Sequence, residues 1–277
     1  MATVIAEAGI SEASRQVEKI PLVLGTAQSE AEFEAYRAVL AARQPSDTIA
    51  KSAEFLKQYH KSGLSPFVRQ AALFACEQLN QWEQVIAHGE AVLQELPESP
   101  LVLALTARAY AETGQPEKTI ERALQALNSL SRMERPPGAD EARWRSEVDR
   151  SRALVHLSMG TAYLRQAQES NREPGPHDVL ERALASLESA LRVDPENPLV
   201  SYRLASAVVL RRDLNRAAMY YAYTVVLGGS LGPVAKRKLE QLAKGQATEI
   251  DRVMSEARDE IRRRIAARRE ATRVTVP

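Results

Sequence analysis

The sequence predicts an all-α protein made of stacked helical hairpins, and three observations carry that expectation. Apolar residues recur at the three- and four-residue spacing of amphipathic helices, and breaker clusters fall between the periodic segments. Positions of like character also return with a period of about 34 residues, that of a repeating helix–turn–helix unit. The composition agrees: 44% of the 277 residues are hydrophobic but only 5% aromatic. Ala, Leu, Glu, Arg and Gln outweigh β-branched runs, which favours helix over strand.

The elements follow in order. Residues 34–63 form a degenerate first hairpin, recognisable mainly by its position and by Pro66 after it. Segments 67–97 and 101–131 each read as two amphipathic helices joined by a short turn. Cys76 and Tyr110 hold equivalent places one period apart, as do Val92 and Ala126. The trio Ala183, Leu187 and Ala190 returns one period later as Ala217, Tyr221 and Thr224. Between these pairs the spacing stretches: Tyr110 to Tyr163 is a full period with an insertion added. Tyr163 to Ala183 is likewise about twice the separation of Tyr110 and Thr119. The extra residues include Arg135-Pro136-Pro137-Gly138 and Glu173-Pro174-Gly175-Pro176. A loop is therefore expected near 131–149, and a fourth hairpin with elongated helices and a longer tip near 168–179.

These residues resemble the tetratricopeptide repeat. Met159-Gly160 and Tyr163, in VHLSMGTAYLR, stand where that family carries Leu-Gly and Tyr, and ALASLESALRVDPENP supplies Ala190 and the closing Pro195. Ala107, Tyr110, Gly114 and Ala126 match the same template, and the consensus Trp is absent. The resemblance covers about Ala31 to Lys244. It implies a right-handed superhelical solenoid of about five hairpins, stable only because each hairpin buries its apolar face on the next. Small Ala107, Gly160 and Ala205 let paired helices approach, and Tyr110, Tyr163 and Tyr221 fill the space between hairpins.

The expected organisation is an arm over 1–28, a repeat domain over 29–244 and an Arg-rich C-terminal segment over 245–277. Pro233–Ala243 is expected to cap the last hairpin. Thr248, with Asp251 three positions on, resembles a capping box opening a final helix to about Arg273. That helix sets a narrow stripe of Ile250, Met254, Ala257, Ile261 and Ile265 against a face with Arg258, Arg262, Arg263, Arg264, Arg268, Arg269 and Arg273.

No residue set for chemistry converges. The single cysteine, Cys76, excludes an internal disulfide and a cysteine-based zinc site, and its place in the repeat marks it as a packing residue. His60, His88, His156 and His177 lack metal-ligand spacing, and His156 sits at a hairpin contact. The loop Gly228–Pro233 lacks the Gly-Lys-Ser/Thr ending of a phosphate loop. The expectation is a non-enzymatic protein without metal, cofactor or small-molecule substrate. A net charge of +1 offers no global field for nucleic acid. No apolar run reaches the ~18–20 residues of a membrane span. Residues 1–28 lack the pattern of a secretory signal, so a cytoplasmic location is expected.

By the same resemblance the first helix of each hairpin lines a concave groove that docks a partner segment. The groove residues expected are Phe67, Gln70, Phe74 and Glu77 in the second hairpin, and Leu101, Ala104 and Arg108 in the third. In the fourth they are Leu154, Leu157 and Thr161, and in the fifth Tyr202, Ser206 and Val209. Phe67, Phe74 and Tyr202 are the expected anchors. These positions lack the Lys–Asn set with which some relatives clamp chaperone C-termini, which favours an extended or helical segment with apolar side chains. The alternative is an adaptor for nucleic acid or another anionic surface through Arg262, Arg263, Arg264, Arg268 and Arg269. Two further expectations are an accessory role in a cell-envelope assembly and a homodimer through the C-terminal stripe.

Overall fold

The computed structural model describes residues 27–170 and 177–274. The arm over 1–28 therefore lies outside the described residues except for its last two, and so does the Glu173–Pro176 cluster. Twelve helices make up the described chain, with no strand among the described residues. They are α1 (Glu30–Leu40), α2 (Pro45–Gln58), α3 (Ser65–Gln78), α4 (Trp82–Glu95), α5 (Pro100–Glu112) and α6 (Pro116–Arg132). After these come α7 (Glu141–Ser170), α8 (His177–Val193), α9 (Pro198–Leu210), α10 (Leu214–Leu227), α11 (Gly232–Leu242) and α12 (Ala247–Val274). The chain divides into two compact units, 1–151 and 152–277, and the division falls inside α7.

In the first unit α1–α2, α3–α4 and α5–α6 are consecutive helical hairpins, each packed on the next. Proline opens α2, α3, α5 and α6 in the first turn, where its missing N–H costs nothing and its fixed φ suits the helix. Pro66 and Pro100 stand one full period apart, so the repeat is punctuated at its starts as well as in its core. The α1 start has a side-chain cap: Ser29 Oγ accepts from the Glu32 N–H at 3.2 Å, and Glu32 Oε2 accepts from the Gln28 N–H at 2.5 Å.

The turns inside the hairpins share one device. Asn80 after α3 and Gly114 after α5 both have positive φ (56° and 76°) and occupy the same place in successive repeats. Beside them Gln81 N–H donates to Cys76 C=O and Gln115 N–H to Tyr110 C=O, each at 2.9 Å. This is the left-handed cap in which the chain bonds back across the last helical turn. In the second unit Arg212 (φ 63°), with Asp213 N–H on Val208 C=O at 3.2 Å, repeats it between α9 and α10.

The second unit packs α8 on α9, α9 on α10, and both α11 and α12 on α10. Its core holds Leu157 and Leu164 of α7, Leu187 of α8, Leu204 of α9, Tyr221 of α10 and Leu239 of α11. Gly160 is where α7 meets α8: a Cβ there would lie 2.5 Å from Leu187 Cγ and 3.2 Å from its backbone nitrogen. The small residue at this position thus permits the close approach expected of the paired helices. Between α8 and α9, Asn197 accepts from the Leu199 N–H and its own amide donates to Asp194, so Asp194–Pro198 stops one helix and caps the next.

Three expectations change in detail. The loop near 131–149 is confined to 133–140, because the positions that follow belong to α7, which is 30 residues long. The final helix begins at Ala247, so Thr248 lies inside its first turn instead of capping it, and Ile250 N–H already bonds Gln246 C=O. The apolar stripe of α12 does not form a seam for a second copy. Val253, Ala257 and Ile261 are buried in the core of the chain's own second unit, with Ile250, Met254 and Ile265 packed against it.

Candidate docking face

The face of interest is built on α3. Its buried side, with Val68, Ala72, Leu73, Ala75 and Cys76, faces the core, which turns Phe67 and Phe74 toward the rim, where each is half-buried. Phe67 packs on a cluster of Tyr36, Val39 and Phe55 from the first hairpin with Leu64 and Val68. Phe74 lies beside a groove of about 160 Å³ bounded by Val39 and Leu40 of α1, the α1–α2 turn, Pro45 and Thr48 of α2, and Ala71, Ala75 and Gln78 of α3. Leu101, on α5, is also half-buried.

Several expected groove residues are spent inside the chain. Gln70, Ala104, Leu157 and Thr161 are buried at 2%, 0%, 4% and 7% exposure, so none of them presents a contact surface. Their helices are flanked on more sides than one amphipathic face implies, and the buried face widens accordingly. Arg108 is half-buried and ion-paired to Glu77 of the preceding hairpin at 2.5 Å, with its guanidinium 5.0 Å from the centre of the Trp82 ring. Both charges thus tie α3, α4 and α5 together. In the second unit Tyr202 meets Tyr221 edge-on at 5.7 Å, and Ser206 Oγ donates to the Tyr202 carbonyl at 3.0 Å. Leu154 and Val209 are half-buried.

A second polar tie between hairpins was not foreseen. Glu90 on α4 takes two hydrogen bonds from Arg122 on α6, at 2.9 and 2.7 Å, and a third from the Tyr110 hydroxyl at 3.1 Å. Burial alone would raise the Glu90 carboxyl, but the Arg122 hydrogen bond and charge, together with Tyr110, outweigh it and hold the carboxyl below its ordinary value. Burial and then the Glu90 charge push the Tyr110 hydroxyl up to about 12. These three residues come from three helices, and only the repeat register hints that they meet.

The thiol and imidazoles are occupied elsewhere. Cys76 Sγ donates to Gln84 Oε1 at 3.3 Å, and burial pushes its pKa up, keeping it a thiol. Burial, then the nearby Arg69, lowers the His88 pKa, and burial with Arg152 and Arg192 lowers that of His156. No group of three His, Cys, Asp or Glu among the described residues is placed to hold a metal ion, and no described helix is long and apolar enough to cross a membrane.

Several arginines of α12 have carboxylate partners, most of them on the same helix. Arg263 and Arg264 pair with Glu260 at 2.8 and 2.9 Å, Arg262 lies 3.6 Å from Asp259, and Arg268 lies 4.0 Å from Asp194. Arg269 is exposed. Exposed cations without an ion partner among the described residues cluster instead on α11, as Lys236, Arg237 and Lys238, which the sequence reading passed over. The overall charge of +1 also conceals a segregation. Residues 1–151 hold 16 basic and 21 acidic residues, net −5, whereas 152–277 hold 21 and 15, net +6.

Comparison with known proteins adds little. No family model matches the chain. No curated protein matches it either. Among solved structures the TPR2AB-domain:pHSP90-complex of yeast Sti1 aligns over 82% of this chain and 95% of that one, at 16% identity and a TM-score of 0.25. A TM-score of that size carries no argument. The fold, an all-α helical repeat of tetratricopeptide-like hairpins, stands on this chain's own helices and repeat register.

Proposed function

We propose that this chain is a non-catalytic docking protein that holds a segment of another protein along the first helices of its repeats, chiefly on α3. The supporting observation is Phe74, a half-open aromatic ring on the wall of a groove between α1 and α3, with half-buried Phe67 two turns earlier on the same helix. Large apolar side chains on an open helix face are what anchor partner segments. The expected anchor Tyr202 contributes less, because its ring is already engaged by Tyr221.

The test is affinity capture from native lysate with wild type, Phe67→Ser/Phe74→Ser and Arg262→Glu/Arg263→Glu. Point variants keep the second unit intact, whereas ending the chain at Gln246 removes Val253, Ala257 and Ile261 from its core. The reading predicts a partner kept by wild type and by the charge variant but lost by the aromatic variant. Loss in the charge variant alone contradicts it.

The charge segregation favours a second reading, an anionic partner held by the second unit through Lys236, Arg237 and Lys238. That reading requires binding that weakens between about 50 and 200 mM salt by about 40-fold, the loss expected for about three phosphate contacts.

A further inference from the structure

We infer that the α1–α3 groove receives one large apolar side chain of a partner segment that carries a carboxylate immediately beside it. The inference rests on the docking reading above and specifies the partner's chemistry.

Size limits the occupant first. At about 160 Å³ the groove is well below the roughly 300–1,000 Å³ of small-molecule sites, so it suits a single side chain of the size of Leu or Phe. Seven of its ten lining residues are apolar, Phe74 and Leu40 the largest, and Arg43, Thr48 and Gln78 make up the polar part.

Charge limits what flanks that side chain. Arg43, in the α1–α2 turn, lines the same groove and is exposed. Three other arginines of this unit are committed, Arg37 to Glu34, Arg108 to Glu77 and Arg122 to Glu90, and none of these lines the groove. Arg43 has no carboxylate partner among the described residues, and Asp47 in the first turn of α2 is not within ion-pair distance of it. A planar guanidinium at the mouth of an apolar slot rewards a carboxylate next to the inserted side chain and repels a cation there. Gln78, exposed at the end of α3, adds an amide at the same rim.

The test begins by panning a random dodecapeptide display library on the immobilised full chain. The most enriched sequence is then measured as a labelled synthetic peptide, by fluorescence anisotropy, against wild type, Phe74→Ser and Arg43→Glu. The inference predicts enrichment of Leu, Phe or Met adjacent to Asp or Glu. Phe74→Ser should weaken binding about tenfold or more, and Arg43→Glu about five- to tenfold. Panning on Arg43→Glu should shift the flanking residue to Lys or Arg, an outcome that a folding defect does not produce. Peptides that need Phe74 but ignore Arg43 overturn the inference and leave the docking reading standing. Peptides indifferent to Phe74 count against both. No enrichment overturns the inference alone, since capture from lysate tests the reading separately. Peptides that bind only once residues 1–26 are removed assign the slot to the chain's own segment, which also overturns it.

Discussion

The same place in the repeat is used differently in the two units. The position that holds Phe74 in α3 holds Arg108 in α5, Thr161 in α7 and Ser206 in α9. In the first unit Phe74 stays half open beside a groove, whereas in the second Ser206 bonds its own helix and the neighbouring Tyr202 packs on Tyr221. A repeat template fixes where a side chain points, and the local choice of residue decides whether that place contacts a neighbour or a partner. In the second unit the Tyr202 ring is engaged by Tyr221, and Lys236, Arg237 and Lys238 stand exposed together on α11.

The largest predicted effect breaks the comparison from the C-terminal side. Ending the chain at Gln246 exposes the surface under Val253, Ala257 and Ile261, about 5 kcal/mol at roughly 1.5–3 kcal/mol per buried apolar side chain. Thermal unfolding should show the second unit's transition lost and the first unit's kept. A single unchanged transition contradicts the assignment of α12 to the second unit's core.

Next in size is a contrast between two close-packed glycines. A Cβ at Gly160 meets mid-chain atoms and the backbone of Leu187, while one at Gly89 meets the Thr106 hydroxyl oxygen at 2.1 Å, which one χ1 rotation can move. Gly160→Ala should cost about 1–3 kcal/mol, and Gly89→Ala less, by urea denaturation. The reverse order would show that the Thr106 side chain is the more rigid neighbour.

The Glu90 tie sharpens the first unit's side of the comparison. Because the folded Glu90 carboxyl titrates below its unfolded value, its contribution is present at neutral pH, above the unfolded pKa. It is lost as pH falls through the folded pKa. Glu90→Gln should therefore cost about 1 kcal/mol at pH 7, with the gap to wild type closing below about pH 4. A gap independent of pH places the loss in packing.

The smallest effect is a gain. Arg212 holds the left-handed turn that Gly114 holds in the first unit. Arg212→Gly should stabilise the second unit by roughly 0.5–1 kcal/mol, and Gly114→Ala should destabilise the first by a similar amount. Differential scanning calorimetry that moves the two in the same direction contradicts the shared turn.

Much of this fold was legible because it is periodic. The returns at Cys76/Tyr110 and Ala183/Ala217 locate hairpins without any structure. Gly114 and Asn80 announce their left-handed turns, but Arg212 does not, since charged residues carry no such signal. The docking face was half legible. Phe74 is large, apolar and off the core stripe, whereas Gln70, Leu157 and Thr161 look surface-facing until neighbouring elements cover them. The α12 stripe was readable as an amphipathic face, but sequence does not say whether such a face meets its own chain or another. Ties such as Glu90–Arg122, formed across a repeat, are invisible to local pattern because two ordinary charged residues on different hairpins carry no mark of each other.

The most direct test of the central claim, that partner contact lies on the first unit's α3 face, is site-specific photo-crosslinking in lysate. A benzophenone amino acid is placed at Gln78 on the groove rim in one variant and at Lys238 on α11 in another. The account predicts a covalent partner adduct from position 78 and none from 238. An adduct from 238 alone would contradict it and move the docking surface to the basic second unit.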